Sequence, residues 1–354
     1  MRRWKLNRPA STYEEHLTRV SRSFAFCIEQ LDRPLRDWVG LGYLLCRMAD
    51  TVEDSTWEKR DDQSAAFAQL LSFLARPAKT ARIIAWTAQI PSEIPEGERL
   101  LLEDAPRILG DLHALPPKVR TVLRRTVASM VRGMDHFCEE GRGAAAPTNM
   151  AEANQYCFFV AGIVGELLTD LVAQADPAYR PSASNYADAF HFGLFLQKIN
   201  LLKDQRADAE VKRFLVPSRE KMRASLRVDA RLAFRYIQGI PLSQRGYRTF
   251  CAWSFFLGIA SLPWIDRAWE EGRDLKISRA ETAALLAKVS FNIDDNAALA
   301  KLFEASAEAG REKIPVRVGR LPPCPDWFGS LYRGKLKSRY LPELGFSRAP
   351  AMVG

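Results

Sequence analysis

The chain has 354 residues, of which 47% are hydrophobic, and a formal net charge of +9 from 51 lysines and arginines against 42 aspartates and glutamates. This length can hold one large domain or two smaller ones, with a sizeable buried core. The basic residues are scattered, without zinc-finger spacing, a helix-turn-helix or an aromatic RNA-binding module, so we predict no nucleic-acid partner. The positive charge favours anionic metabolites as ligands.

Most segments are rich in Ala, Leu, Arg and Glu, and alternating runs of Val, Ile and Thr are scarce. This composition predicts roughly ten helices or more and no substantial sheet. Two stretches rich in Pro, Ala and Gly, 75–79 and 141–147, are predicted as loops because apolar helical periodicity resumes after each. We therefore predict an all-α protein with a basic segment over 1–14, one helical domain over 15–310 and a basic, proline-containing tail over 311–354.

The first acidic cluster, Asp50, Glu53 and Asp54, ends a predicted helix. At about 100° per residue, Tyr43, Arg47, Asp50 and Asp54 form one polar stripe on an otherwise apolar segment. A helix that is apolar around most of its circumference is buried. Its polar stripe should therefore face a cavity, a ligand or a metal.

The second acidic cluster repeats this pattern, because Gln197, Asn200, Asp204 and Asp208 form a comparable stripe. Two carboxylates one turn apart repel by roughly 3 kcal/mol at about 6 Å and an effective dielectric near 20, so a cation is needed between them. Carboxylates without nearby His or Cys favour magnesium, which completes its shell with phosphate oxygens and water. An ordinary acidic helix end is the alternative for either cluster alone; two matching stripes favour a magnesium site and a phosphorylated substrate.

The remaining features concern compartment and membrane contact. The six cysteines have no CxxC spacing and predict free thiols in a reducing cytoplasm. The N-terminal residues lack the apolar run of a secretory signal. The apolar stretch 250–265 contains Pro263 and is short for a membrane span, which predicts a core helix. The basic stretch 332–340 predicts peripheral contact with anionic headgroups.

Five short motifs occur in order along the chain: Ser21-Arg22-Ser23-Phe24, Tyr43-x3-Arg47-x2-Asp50-Thr51-Val52-Glu53-Asp54, Tyr156-Cys157-Phe158-Phe159-Val160-Ala161-Gly162, Gly193-Leu194-Phe195-Leu196-Gln197-Lys198-Ile199-Asn200 and Phe250-Cys251-Ala252. Together they resemble the squalene and phytoene synthase family of isoprenoid synthases, over residues 15 to 290. The resemblance implies a helical isoprenoid-synthase bundle around a central hydrophobic cavity. It also implies a prenyltransferase that joins two allylic prenyl diphosphates head to head, with farnesyl diphosphate as the expected substrate.

The resemblance assigns a role to each matching residue. The carboxylates expected to hold Mg²⁺ against the diphosphate leaving group are those of Asp50, Glu53, Asp54, Asp204 and Asp208. The side chains expected to bind the phosphates or the hydrocarbon are those of Ser21, Arg22, Ser23, Phe24, Lys203, Arg213 and Phe250. Trp253 is expected to shape the hydrocarbon pocket with them. Side chains expected to act on the reacting groups belong to Tyr43, Arg47, Tyr156, Gln197 and Asn200.

The chain departs from the family pattern at two places. Ala207 stands where the second motif usually has an acid, and Ser254, Phe255 and the segment 263–267 replace polar residues that serve the NADPH-dependent half-reaction of squalene synthases. These replacements predict turnover without NADPH. Two alternatives stay open: prenyl transfer from the same site to an aromatic acceptor, and a non-catalytic isoprenoid-binding protein. The sequence does not indicate an oligomeric state.

Overall fold

The computed structural model of the chain describes residues 11–139, 143–144, 146–306, 323–332, 334, 341–342 and 344–347. Several features predicted above fall outside the described residues in whole or in part. They are the basic segment up to residue 10, the side chain of Arg22, positions 141, 142 and 145 of the predicted loop 141–147, and the chain from residue 307 onwards apart from 323–332, 334, 341–342 and 344–347. Of the stretch 332–340, only positions 332 and 334 are described.

The described chain is all-α, as predicted, apart from a short hairpin of two strands with two residues each. Its first helices are α1 Ser11–Val20, α2 Arg22–Ile28, α3 Leu35–Asp54, α4 Arg60–Ala75, α5 Thr80–Thr87, α6 Glu96–Glu103, α7 Ala105–Ala114 and α8 Pro117–Phe137. The hairpin pairs β1 Cys138–Glu139 with β2 Gly143–Ala144 in antiparallel register. The later helices are α9 Met150–Cys157, a π-helix Phe158–Gly162, α10 Ile163–Ala175, α11 Ala183–Glu210, α12 Arg219–Gly239, a 3₁₀ turn Leu242–Gln244, α13 Arg245–Glu271, α14 Arg279–Phe291, α15 Asn296–Glu304 and α16 Asp326–Leu331.

The helix α3 shows how the sequence pattern builds the core. Leu44, Leu45, Met48 and Val52 lie on one side of α3, and their side chains are completely buried. Each buried leucine or methionine side chain contributes about 1.5–3 kcal/mol of hydrophobic stabilisation. The polar stripe predicted on α3 lies on the opposite side of the helix, so core packing fixes the direction in which that stripe points.

The helices α10 and α11 approach each other until their backbones are nearly in contact. A Cβ atom added to Gly165 would lie 1.8 Å from the carbonyl oxygen of Ala189, and one added to Gly193 would lie 2.2 Å from that of Ala161. Glycine is therefore required at both positions. This contact fixes the π-helix, and with it Tyr156 just before it, against α11; π-helical turns are frequent at functional sites.

The described part of the C-terminal region packs against the helix that carries Tyr156. On α16, the Phe328 ring centroid lies 5.2 Å from that of Phe158, and the Gln155 side chain donates a hydrogen bond of 2.6 Å to the carbonyl oxygen of Leu344. These contacts therefore hold α9 and the π-helix against the described C-terminal residues. The domain boundary at 310 stays a prediction.

The prediction for the apolar stretch 250–265 is confirmed. The stretch 250–265 lies within α13, where Cys251, Ala252, Phe255 and Leu262 are completely buried, so it is a core helix. All six cysteines are free. The segment Met150–Ala175 has the length and apolar composition of a membrane span, and 83% of its most apolar window is buried inside the protein.

Candidate active site

The N-terminus of α2 meets the polar stripe of α3. Ser21 caps α2, with its Oγ accepting the backbone N–H of Phe24 at 3.5 Å. The Phe24 ring centroid lies 5.5 Å from that of Tyr43, while Ser23 is exposed. Burial raises the pKa of Tyr43 to about 12, so its phenol is protonated at neutral pH. Of the opening motif, Ser21 and Phe24 therefore lie beside α3.

The next turn of α3 presents Arg47 between two carboxylates. Its guanidinium donates a hydrogen bond to Glu98 on α6 and lies 3.7 Å from Asp50. Glu98 also accepts a hydrogen bond of 3.1 Å from the Thr51 hydroxyl, and only 5% of Glu98 is exposed. The sequence analysis missed Glu98, because it follows Glu96 in a first helical turn where carboxylates are ordinary helix-stabilising residues.

At the end of α3, Glu53 and Asp54 meet two groups from distant parts of the chain. Arg213 forms an ion pair with Asp54, lies 3.6 Å from a Glu53 oxygen and donates a hydrogen bond of 2.9 Å to the Tyr156 hydroxyl. The Tyr156 hydroxyl in turn donates to Glu53 at 3.4 Å. Burial raises the pKa of Tyr156 well above its usual value, so the phenol stays neutral. These four residues, predicted from three separate segments, form one network.

The second acidic cluster lies on the last turns of α11. Lys203 Nζ lies 3.1 Å from an Asp204 oxygen. Asp208 is close enough to Asp54 and Arg213 for both charges to act on its pKa. The ends of α3 and α11 therefore bring the two predicted clusters together.

Three carboxyl groups of this site have raised pKa values, because they are buried close to one another. Burial, reinforced by the charge of Asp54, raises the pKa of Asp50 to about 7 even though Arg47 acts against it. Burial and the charges of Asp204 and Asp54 raise the pKa of Asp208 to about 6. Burial also raises the pKa of Glu53. A cation would relieve this repulsion.

The donor atoms fit Mg²⁺ held jointly with a phosphorylated ligand. The Glu53 Oε1 atom is buried and has no hydrogen-bond partner among the described residues. Within the same residues, no three His, Cys, Asp or Glu side chains are close enough to hold an ion by themselves. An ion here would therefore take one or two carboxylates from the protein and its other ligands from phosphate and water, which is the coordination that Mg²⁺ prefers.

Among the described residues, no hydrogen bond or ion pair joins Gln197, Asn200 or Phe250 to this network. On α11, Gln197 is half-buried and Asn200 is exposed. On α13, Phe250 is buried and stacks on Tyr247 with ring centroids 6.1 Å apart. Their predicted roles stay predictions.

Trp253, expected beside the hydrocarbon, is buried and contacts side chains of α2 and α14. Its ring stacks on Phe26 of α2 at 5.0 Å, and its indole N–H donates a hydrogen bond of 3.0 Å to Ser290 of α14. Phe26 itself is 46% exposed. The ring of Trp253 therefore fills the junction of α2, α13 and α14.

Curated relatives match this chain mainly in its N-terminal part. Squalene synthase ERG9 of Candida albicans is 33% identical over 198 residues, which are 55% of this chain and 42% of that protein. ERG9 of Saccharomyces cerevisiae is 32% identical over 196 residues, again 55% and 42%. The squalene synthase of Homo sapiens is 30% identical over 205 residues, 58% of this chain and 46% of the human protein. Each match thus spans less than half the length of the relative.

Solved structures share the fold over most of the chain. A complex of TcSQS with a ligand has a TM-score of 0.66 at 23% identity, covering 84% of this chain and 93% of the other. A dehydrosqualene synthase bound to a ligand has a TM-score of 0.54 at 19% identity, covering 80% and 95%. The model of the squalene/phytoene synthase family matches residues 17–235, which include both acidic clusters. The chain therefore belongs to the squalene/phytoene synthase family.

Proposed function

We propose that the protein is a magnesium-dependent prenyltransferase that ionises one allylic prenyl diphosphate and joins it head to head with a second. Farnesyl diphosphate is the proposed substrate. The observation that carries this proposal is the meeting of two acidic clusters at the ends of α3 and α11, with Arg47 and Arg213 beside them. Family membership supports the same chemistry.

The first step is departure of diphosphate with the electron pair of the C–O bond. Bound Mg²⁺ ions would each be held by one or two carboxylates from the set Asp50, Glu53, Asp54, Asp204 and Asp208, and would supply positive charge to the leaving group. Arg47 and Arg213 each have a buried Nε without a hydrogen-bond partner in the described part of the chain. Guanidinium groups bind phosphate oxygens by paired hydrogen bonds, so both can take the diphosphate, together with Ser21 and Lys203.

The second step is attack on the allylic cation by the double bond of the second substrate. Ring closure with loss of a proton then gives a cyclopropylcarbinyl diphosphate. Tyr43 and Tyr156 are neutral phenols at the two ends of the acidic stripe, where an aromatic face can stabilise a carbocation. The Tyr156 hydroxyl also contacts Glu53, so a proton could pass between these groups.

Two other functions stay as alternatives. An aromatic acceptor in place of the second prenyl diphosphate is favoured by Ala207, which leaves the second cluster with one carboxylate fewer. A non-catalytic isoprenoid-binding role is disfavoured, because binding alone does not require a cluster of repelling carboxylates. We propose turnover without NADPH, and a cytoplasmic location with peripheral membrane contact.

One experiment separates these functions. Purified protein is incubated with Mg²⁺ and a panel of prenyl diphosphates of increasing chain length, and the extracted products are identified by mass spectrometry. Products that carry two prenyl chains support the proposal. Products appearing only when an aromatic acceptor is added would support prenyl transfer to that acceptor, and unchanged substrates would support the binding protein.

A further inference from the structure

Arg213 reaches the first acidic cluster because the chain reverses directly after the second one. Lys212 has a backbone φ of 61°, in the left-handed region that a non-glycine residue rarely adopts. The backbone N–H of Arg213 donates a hydrogen bond of 2.8 Å to the carbonyl oxygen of Asp208. This tight turn directs the Arg213 side chain past the end of α11 towards α3. Arg213 therefore contacts both acidic clusters, Asp208 through its backbone and Asp54 through its side chain.

The Arg213 guanidinium is bonded to the same carboxylates that are proposed to hold the metal. It pairs with Asp54 and lies 3.6 Å from Glu53, while 15% of its side chain is exposed. A carboxylate oxygen engaged by a guanidinium has less electron density to offer an ion, and a fixed positive charge repels a divalent cation at this distance. Arg213 therefore opposes metal binding at this cluster.

The same side chain has unused capacity for an anion. Arg213 Nε is buried and has no hydrogen-bond partner among the described residues. A diphosphate offers several oxygens in the geometry that a guanidinium binds by two parallel hydrogen bonds. When the Arg213 guanidinium binds a diphosphate in this way, it would no longer pair with Asp54 and Glu53.

We propose that Arg213 is an internal counter-ion that competes with the divalent metal for Asp54 and Glu53 and is released when a diphosphate binds. This inference rests on the proposed function, since it concerns how that site is loaded. It makes metal binding and diphosphate binding mutually reinforcing, because each removes an obstacle to the other. A residue that only binds phosphate, or only stabilises the fold, would not oppose the metal.

The test is a titration with Mn²⁺ alone, followed by electron paramagnetic resonance of the free ion. Mn²⁺ takes the same oxygen ligands as Mg²⁺. We expect Arg213→Gln to bind Mn²⁺ about fivefold more tightly than the wild type, and Arg213→Lys, which keeps the charge, to stay within about twofold of it. Unchanged or weaker binding in Arg213→Gln would overturn the inference.

The matched control is Arg107→Gln. Arg107 also pairs with carboxylates, Asp104 and Asp111, and its side chain is likewise 15% exposed. Loss of this arginine changes the net charge equally but should leave Mn²⁺ affinity unchanged. An equal gain in both variants would contradict a local competition.

Two further measurements keep the outcome clear. If Arg213→Gln does not fold, arginine Nε–H resonances of the wild type report the same event, with Arg213→Lys assigning the signal. Mg²⁺ with inorganic diphosphate should shift the Arg213 signal, and an unmoved signal would overturn the inference. Wild-type protein that binds no Mn²⁺ even with diphosphate would instead contradict the proposed function.

Discussion

Glu98 on α6 holds the guanidinium of Arg47 on α3 across 51 positions of sequence. The carboxylate of Glu98 is almost fully buried, and its second oxygen accepts the hydroxyl of Thr51. Glu98 therefore positions the Arg47 guanidinium beside Asp50. A charged, hydrogen-bonded partner of this kind determines where an arginine can meet a phosphate.

Removing the charge of Glu98 should weaken substrate binding. We expect Glu98→Gln to raise KM about tenfold, equivalent to about 1.4 kcal/mol, with a smaller change in kcat, because Arg47 loses its ionic partner but keeps its own charge. Steady-state kinetics measure both parameters. Glu103→Gln is the control, since Glu103 lies on the same helix with a 58% exposed side chain. Identical kinetics in the two variants would rule out the positioning role.

Asp50 and Asp54 are proposed to bind the catalytic metal. We expect Asp50→Asn or Asp54→Asn to lose at least about 3 kcal/mol of transition-state stabilisation, roughly a hundredfold in rate, because an amide is a poor ligand for Mg²⁺. Turnover is measured with circular dichroism as the check on folding. Asp294→Asn, at an exposed pair with Arg245, should keep full activity. Near-normal turnover in both site variants would refute the assignment.

Asp50 also links the stability of the metal-free protein to pH. Its pKa rises from 3.8 to about 7, so the folded state binds this proton more tightly than the unfolded chain. The free energy of unfolding therefore falls as pH rises from about 4 to about 7 and levels off above that range. Since 31% of the side chain is exposed, we expect a loss on the order of 2 kcal/mol rather than the full shift.

This pH effect is measured by urea unfolding in EDTA at about pH 4.5 and about pH 7.5, in wild type and Asp50→Asn. The wild type should lose stability relative to the variant at the higher pH. Mg²⁺ with inorganic diphosphate should restore that stability in the wild type more than in the variant. Parallel pH dependences in the two proteins would exclude a raised pKa at Asp50.

Ala207 occupies the place of a family acid on the exposed side of α11. We expect Ala207→Glu to lower the Mg²⁺ concentration needed for half-maximal activity, because the new carboxylate lies one turn from Lys203 and close to Asp204. Ala209→Glu adds the same charge on a different side of the helix and should change the Mg²⁺ requirement less. A folded but inactive Ala207→Glu protein would mean that alanine makes room for another group, which favours the aromatic acceptor.

The sequence was sufficient to predict features that repeat with the helical period. The core helix α13 and the all-α fold follow from local patterns, and the structure agrees with them. The polar stripe on α3 also follows from such a pattern, whereas the roles of Gln197 and Asn200 on α11 stay predictions. Glu98 could not be predicted, because its role depends on a contact between α6 and α3 that leaves no periodic signal. The contact of Arg213 with Asp54 depends on the turn at Lys212. The position of Trp253 between Phe26 and Ser290 depends on how α2 and α14 pack against α13. Tertiary packing decides all three.

The prediction that turnover does not need NADPH rests on aromatic residues of α13. Phe255 is completely buried, with its ring centroid 4.9 Å from that of Phe195, and Trp264 carries the guanidinium of Arg267 over its ring. These aromatic groups offer little to orient a nicotinamide, whose hydride must be positioned at contact distance from the cation. We therefore expect the carbocation to be quenched by loss of a proton, by water or by an acceptor.

The most direct test is an incubation of the purified protein with farnesyl diphosphate, in Mg²⁺ or in EDTA and with or without NADPH, followed by mass spectrometry of the products and assay of released diphosphate. We predict a product that carries both farnesyl chains, dependent on Mg²⁺ and formed equally without NADPH. Squalene that accumulates only with NADPH would contradict the cofactor prediction while keeping the condensation. Diphosphate release that does not depend on Mg²⁺, or a product with a single farnesyl chain, would contradict the central claim.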